Sequence, residues 1–485
     1  MTDHAGPAPA RPALGPSDIR QIFVGLMLAM FLSALDGTIV ATAMPTIGRE
    51  LGDVQHLPWI VTAYLLAATA VTPLYGKFAD MIGRRVTMLV AIGIFILGSI
   101  ACALAPSLLF LALARGVQGL GGGGLLALAQ TIIADIVTPR ERGRYQAYFG
   151  SVFAMASVAG PVLGGFFAQT WHWSLIFWIN LPLGFLAFWL VNGRLKRLPR
   201  HERRHRLDIP GAVLLVCATT SLMLVVNWGG HAYPWLSPQV TGLALFTLCA
   251  WGLFFLRLSR ASEPLIPLAV LADPVVACAT FSGALCVGTN VGLSIMVPIF
   301  FETSLGLTAR QSGLALIPLM IGVPIGAVVS GRTMAVVSHY KRVPLVALSV
   351  ASLALAGFAA MAGRAPLWVC EVMLVATAFG MGSIFPVVTV ALQNAVKMHY
   401  LGTATATMNF MRQLTGAIVV AVFGAIALGG GGLGVEALEP RGAVEADTFR
   451  PVFWLASALL VTALILFVAM EERPLRDRAA PASGE

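Results

Sequence analysis

Gly76-Lys77-Phe78-Ala79-Asp80-Met81-Ile82-Gly83-Arg84-Arg85 is a short polar break in an apolar stretch. Leu57–Ala79 leads into it and Val86–Ala105 leads out, and each run is long enough to cross a bilayer. The segment is therefore a tight connection between two membrane spans. Its glycines permit a sharp turn and close helix approach. Asp80 can pair with a neighbouring arginine or cap a helix N-terminus. An ordinary basic turn accounts for the arginines but not for the spaced Gly-Asp-Gly frame.

The composition around it agrees. Hydrophobic residues make up 58% of 485 residues and charged residues 11%, against roughly 25% charged in a soluble domain. Apolar runs of spanning length lie near Ile22–Met44, Leu57–Ala79, Val86–Ala105, Ser107–Val137, Tyr145–Ala168, Trp173–Gly193 and Ile209–Asn227. Seven more lie near Gln239–Leu258, Val275–Phe301, Ser312–Val337, Val343–Met361, Leu367–Ala395, Gly402–Leu428 and Pro451–Met470. The fold class expected is all-α integral membrane with fourteen transmembrane helices.

An even number of spans leaves both termini on one side. If that side is cytoplasmic, inner tails and loops hold 24 of the 31 Lys and Arg and outer loops hold five, the asymmetry that orients membrane proteins. The seven-charge loop Arg194–Arg206 falls after six spans. The expected layout is a disordered cytoplasmic tail over 1–20, a six-helix bundle over 21–193, and this loop with two inserted helices over 194–258. A second six-helix bundle follows over 259–472, then a cytoplasmic tail over 473–485. A faint repeat supports two halves: Pro45 precedes Gly76-Lys77 by 31 residues, and Pro298 precedes Gly331-Arg332 by 33.

Several functions are disfavoured. The net charge of +9 is dispersed in short loops, so nucleic-acid binding is not expected. The six cysteines form no C-x-x-C and the eight histidines lie in tails, loops and helix ends, so no metal or other cofactor is expected. No Gly-x-x-x-x-Gly-Lys-[Ser/Thr] occurs, which excludes a primary pump in this chain alone. Clustered nucleophiles for an enzyme and filter repeats for a channel are also missing.

Ionisable groups inside spans are costly and usually line a polar cavity with partners. Asp36 and Arg115 both lie about 12 Å below the outer surface on the helical rise, so they can face each other. Arg412, flanked by Asn409 and Gln413, lies about 15 Å into its span. A wetted cavity is expected for all three, with Gln118, Asn180, Asn290, Asn409 and Gln413 as its polar lining; the alternative for Asp36 and Arg115 is a purely structural ion pair. In span five, Gly160-Pro161 is expected to form a hinge or a tight seam with Gly164 and Gly165.

Five motifs then align in order. Gly76 to Arg85 closely resembles the signature loop of the major facilitator superfamily, with Gly76, Asp80, Gly83, Arg84 and Arg85 at its defining positions. Arg115-Gly116-Val117-Gln118-Gly119 looks like that family's Arg-x-x-Gln-Gly motif. Gly160-Pro161-Val162-Leu163-Gly164-Gly165 is similar to the Gly-Pro-x-x-Gly-Gly motif of its proton-driven exporters. Leu35 to Val40 with Pro45, and Trp173 through Phe177 to Gly184, resemble the fourteen-span drug:proton antiporters. The resemblance implies a fold of two six-helix bundles with two inserted spans. Two departures stand out: Gly331-Arg332 lacks the Asp of a full second signature loop, and Glu302 stands where such antiporters commonly carry Gln. Glu302 is then either an added protonatable group or a wet loop residue.

The function so implied is proton-coupled export of drug-like, mostly apolar or cationic small molecules by alternating access. Asp36 is the expected proton carrier, Arg115 and Arg412 tune it, and the loop around Asp80 serves the conformational switch. The setting expected is the bacterial inner membrane, with small-molecule cargo, protons and lipid as partners and any periplasmic adaptor left open. The alternative is a proton-coupled uptake symporter for a nutrient.

Overall fold

The computed structural model describes residues 16–52, 56–195, 208–230, 232–261, 263–266, 268–337, 339–427 and 446–475. Most of the basic loop Arg194–Arg206, most of the first tail and residues 476–485 lie outside these. Among the described residues, fourteen helices are long and apolar enough to cross a membrane. In chain order they are α1 (Asp18–Leu51), α2 (Trp59–Ile82), α3 (Arg84–Ala103), α4 (Leu108–Ile136), α5 (Pro139–Thr170), α6 (Leu175–Gly193) and α7 (Ile209–Trp228). The remainder are α8 (Pro238–Arg260), α9 (Pro274–Ser304), α10 (Arg310–Val336), α11 (Arg342–Met361), α12 (Leu367–Ala395), α13 (Met398–Ala427) and α14 (Arg450–Ala469).

Several helices outrun their apolar stretches because their ends are capped. Thr138 and Glu141 form a reciprocal capping box that starts α5 six residues ahead of Tyr145. Asp273 accepts from the amides of Val275 and Val276 and so begins α9. Helix α6 is broken at Ile179. Pro182 just beyond has no N–H for the carbonyl of Trp178, and the break places Asn180 in the bundle interior, fully buried.

Helices α1–α6 pack into one bundle and α9–α14 into another. The bundles meet where α2 lies on α13 and α5 on α10, with α4 against α13 and α5 against α12 beside them. Lipid offers no hydrophobic drive between helices, so close packing of small residues is what holds such seams. The glycine run of α4 is such a device. A side chain at Gly123 would come within 2.2 Å of the Ala68 carbonyl, and one at Gly121 within 2.3 Å of the Phe95 amide. Bare backbone therefore lets α4 press on α2 and α3 together.

The inserted pair, α7 and α8, packs on itself and leans on α2 and α13, one helix from each bundle. Leu215, Met223 and Phe254 share a small core there with Leu66, Phe410 and Leu414. Asp208 caps α7 and pairs with Arg257 of α8 at 3.0 Å. At the other end Asn227 donates to Thr62 at 3.4 Å and Trp228 meets Trp59 edge-on. Thr219 and Thr247 are buried, and the Thr247 hydroxyl is satisfied by the Leu243 carbonyl of its own helix. Cysteines placed singly at 219, 220 and 247 in a cysteine-free background are expected to resist a water-soluble thiol reagent. Rapid labelling that substrate blocks would put the pair in the transport path instead.

Candidate functional site

Asp36 is fully buried in α1, where a lone carboxylate would be untenable. Three side chains answer it. Arg115 Nη1 donates to Oδ2 at 2.5 Å, while Gln118 Nε2 and Asn180 Nδ2 donate to Oδ1 at 2.8 and 3.2 Å. Ser99 of α3 accepts from the same two amides at 2.8 and 3.3 Å. Arg115 also donates from Nε to the Ile60 carbonyl at 3.0 Å and lies 4.3 Å over the Tyr64 ring. The result ties α1, α2, α3, α4 and α6 into one buried network, and Asp36 and Arg115 are not among the residues lining the cavity between the bundles. Gln118 and Asn180 likewise hold Asp36 and contribute nothing to the cavity wall. Ser99 and Tyr64 carry no signal in the sequence, since a hydroxyl in an apolar run usually serves its own helix.

The signature loop forms a second constellation. Gly83 takes a φ of 94°, the left-handed region that glycine adopts without strain, and so turns α2 into α3. Asp80 accepts from Arg84 Nη1 at 2.5 Å, and Arg84 Nε donates to Asp135 of α4 at 2.8 Å. Asp80 also reaches the other bundle, accepting from the Gly402 amide at 3.2 Å and from the Thr403 amide and hydroxyl at 2.8 and 2.7 Å. These amides open α13, so the carboxylate sits on the positive end of a helix dipole. A side chain at Gly76 would collide with the Gly402 carbonyl at 2.5 Å, so glycine is what admits this approach. Arg85 donates to Asn192 of α6. At the matching seam, a side chain at Gly331 would meet the Gly143 carbonyl at 2.4 Å. That junction is backbone against backbone, where the sequence lacks the second Asp.

Between the bundles lies a cavity of about 480 Å³ walled by α4, α5, α9, α10, α12 and α13. Asn290, Asn409, Arg412 and Gln413 line it, together with Gln130 and Gln146, which the sequence did not single out. Cross-bundle bonds join residues along its wall. Asn409 donates to Gln130 Oε1 at 2.8 Å, Gln393 to the Gln130 carbonyl at 3.4 Å, and Thr69 to Gln413 at 2.9 Å. Arg412 donates to Thr389 at 3.2 Å and lies 5.5 Å over the Phe385 ring. These contacts belong to the second bundle, so Arg412 is not positioned to tune Asp36. Glu302 is exposed in the last turn of α9, away from this cavity. Gly160 and Gly164 face α1, where a side chain would strike the Thr38 and Thr42 hydroxyls at 2.0 and 2.2 Å. Pro161 and Gly165 sit on the outward side of α5. A larger groove, about 790 Å³, runs between α11 and α12 but is lined mainly by Val and Ala and by one bundle alone.

Two helical bundles closed over one polar-lipped cavity define a solute transporter of the membrane. The Major Facilitator Superfamily model matches residues 26–421, and the chain belongs to that family. It is 34% identical over 409 residues to "Multidrug resistance protein 3" of Bacillus subtilis (strain 168), covering 84% of this chain and 79% of that one. It is 33% identical to "Multidrug transporter protein MdtP" of the same organism over 84% and 74% of the two chains. The proton:xylose symporter XylE shares the fold, with a TM-score of 0.63 at 15% identity over 93% of this chain and 95% of that one. The architecture is thus the major-facilitator fold, with two helices inserted between its bundles.

Proposed function

We propose that this chain exports small, drug-like, largely apolar molecules in exchange for protons by alternating access. The observation that carries the reading is the coexistence of a cavity shared by both bundles with a carboxylate sealed in only one of them. Cargo and proton then have separate seats joined by α4, which carries Arg115 and Gln118 at one end and Gln130 at the other. Protonating Asp36 removes the charge that holds Arg115, Gln118 and Asn180, and so loosens the packing of α1, α4 and α6. Multidrug relatives support the cargo class. Cationic cargo, expected from the resemblance, finds no Asp or Glu among the described cavity-lining residues to receive it.

We place the Asp80 loop and both termini on the cytoplasmic side of a bacterial inner membrane, from the distribution of Lys and Arg. The bonds of Asp80 to α13 then belong to a state closed on that side. The domain limits proposed are 21–193 and 259–472 for the bundles and 194–258 for the insertion. Inverted vesicles energised to an acid interior provide the test. An apolar dye is expected to accumulate inside and to dissipate the pH gradient only where the protein is present. Dye and protons moving in the same direction would favour the uptake symporter.

A further inference from the structure

We infer that the central cavity selects amphiphilic anions, holding a carboxylate or sulfonate at Arg412 with its apolar body against the surrounding walls. The inference rests on reading this cavity as the cargo seat. Arg412 is 8% exposed, and its Nε has no hydrogen-bond partner among the described residues. The contacts it does make, with the Thr389 hydroxyl and the Phe385 ring, carry no negative charge. Buried Arg142 of α5 at least donates to the backbone carbonyls of Ala134 and Val137, and two arginines nearer the other polar sites hold carboxylates. Arg115 has Asp36, and Arg84 has both Asp80 and Asp135. A guanidinium withdrawn from water without a counter-anion is strongly disfavoured, and no carboxylate pairs with it among the described residues.

A second donor points the same way. Gln146 of α5 is 6% exposed, lines the same cavity, and leaves its Nε2 without a partner among the described residues. Two residues of opposite bundles, one of them cationic, thus line one space, each with an N–H donor left unpartnered among the described residues. Phe149, Phe153, Met320 and Val323 supply apolar wall between the polar side chains. A volume of about 480 Å³ suits a drug-sized molecule. Guanidinium prefers planar oxyanions, which it can grip with two parallel hydrogen bonds. A cation in this space would sit beside Arg412 with nothing to offset the repulsion. Cargo that bridges Arg412 and Gln146 would also bind both bundles at once, as a transported molecule must before the cavity changes sides.

The test uses the full chain in phosphatidylcholine nanodiscs and three dansyl probes of one shape. One carries a carboxylate, one a neutral amide and one a quaternary ammonium. The carboxylate probe is expected to bind at least about tenfold more tightly than the ammonium probe. Arg412→Gln should abolish that preference while weakening the neutral probe far less than the carboxylate probe, and Arg412→Lys should retain part of it. Gln146→Leu should weaken the carboxylate probe more than the ammonium probe, which keeps the test decisive if Arg412→Gln fails to fold. Equal or inverted preference in the unaltered protein would overturn the inference, as would a preference that survives in well-folded Arg412→Gln. Displacement of the probe by phosphatidylglycerol would also overturn it, by making a lipid headgroup the occupant. If the neutral probe binds and the anion does not, only the charge assignment falls. If none of the three binds, the cargo-cavity reading falls with it.

Discussion

Asp36→Asn is expected to reduce pH-gradient-driven transport to background. The substitution keeps the shape of the side chain but removes both the charge and the exchangeable proton. It also leaves Arg115 buried with no counter-anion, and breaking such a pair commonly costs about 3–5 kcal/mol. Stability therefore has to be read alongside transport. Thermal unfolding identifies a folded preparation, and exchange of labelled cargo without a gradient reports whether the cavity still alternates. A coupling residue leaves that exchange running while abolishing the response to the pH gradient. Gradient-driven transport at the unaltered rate would remove Asp36 from the proton path. Glu302, exposed on α9, and the half-buried Glu371 on α12 would then be the carboxylates to test.

The second large effect is expected at the loop. Asp80→Ala removes three hydrogen bonds to the start of α13 and the ion pair with Arg84. Truncating one side of such a buried charged contact costs about 2–5 kcal/mol, or roughly thirty- to several-thousandfold in an equilibrium. The three bonds to α13 cross between the bundles and so weigh on the loop-closed state in the proposed cycle, whereas the Arg84 pair lies within one bundle. Turnover should fall by about tenfold or more while cargo affinity changes by no more than a few-fold. Spin labels at Arg144 and Arg332, both exposed beside the Gly143–Gly331 junction, should report a longer distance in the variant. An unchanged distance together with strongly weakened binding would show that Asp80 serves the cavity and not the switch.

The glycine run of α4 shows how local and tertiary information divide. Read as sequence, Gly121 to Gly124 only soften a helix. In the fold each is a contact point: Gly121 and Gly123 meet the backbones of α3 and α2, and Gly122 and Gly124 make room for the Tyr64 and Tyr75 rings. Asp80 divides in the same way. Its abilities to pair with arginine and to cap a helix are both legible from residue type. The helix it caps begins more than three hundred residues later, and nothing in the local pattern names Thr403.

What the sequence determined by itself was the membrane setting, the number and order of the helices, and the presence of a charged group inside particular spans. These are local decisions: in lipid every backbone group must be satisfied within its own helix, so each apolar run declares its structure without reference to the rest. The tertiary structure alone decided which polar residues belong together. Depth along a helix can be counted from its ends, but the direction a side chain faces depends on where the neighbouring helices lie. Asp36 and Arg412 therefore read as one polar cavity in the sequence, yet they occupy separate compartments in the fold. Asp36 is enclosed because Arg115, Gln118 and Asn180 converge on it from two other helices. Arg412 lines the shared space, where its contacts among the described residues are the Thr389 hydroxyl and the Phe385 ring.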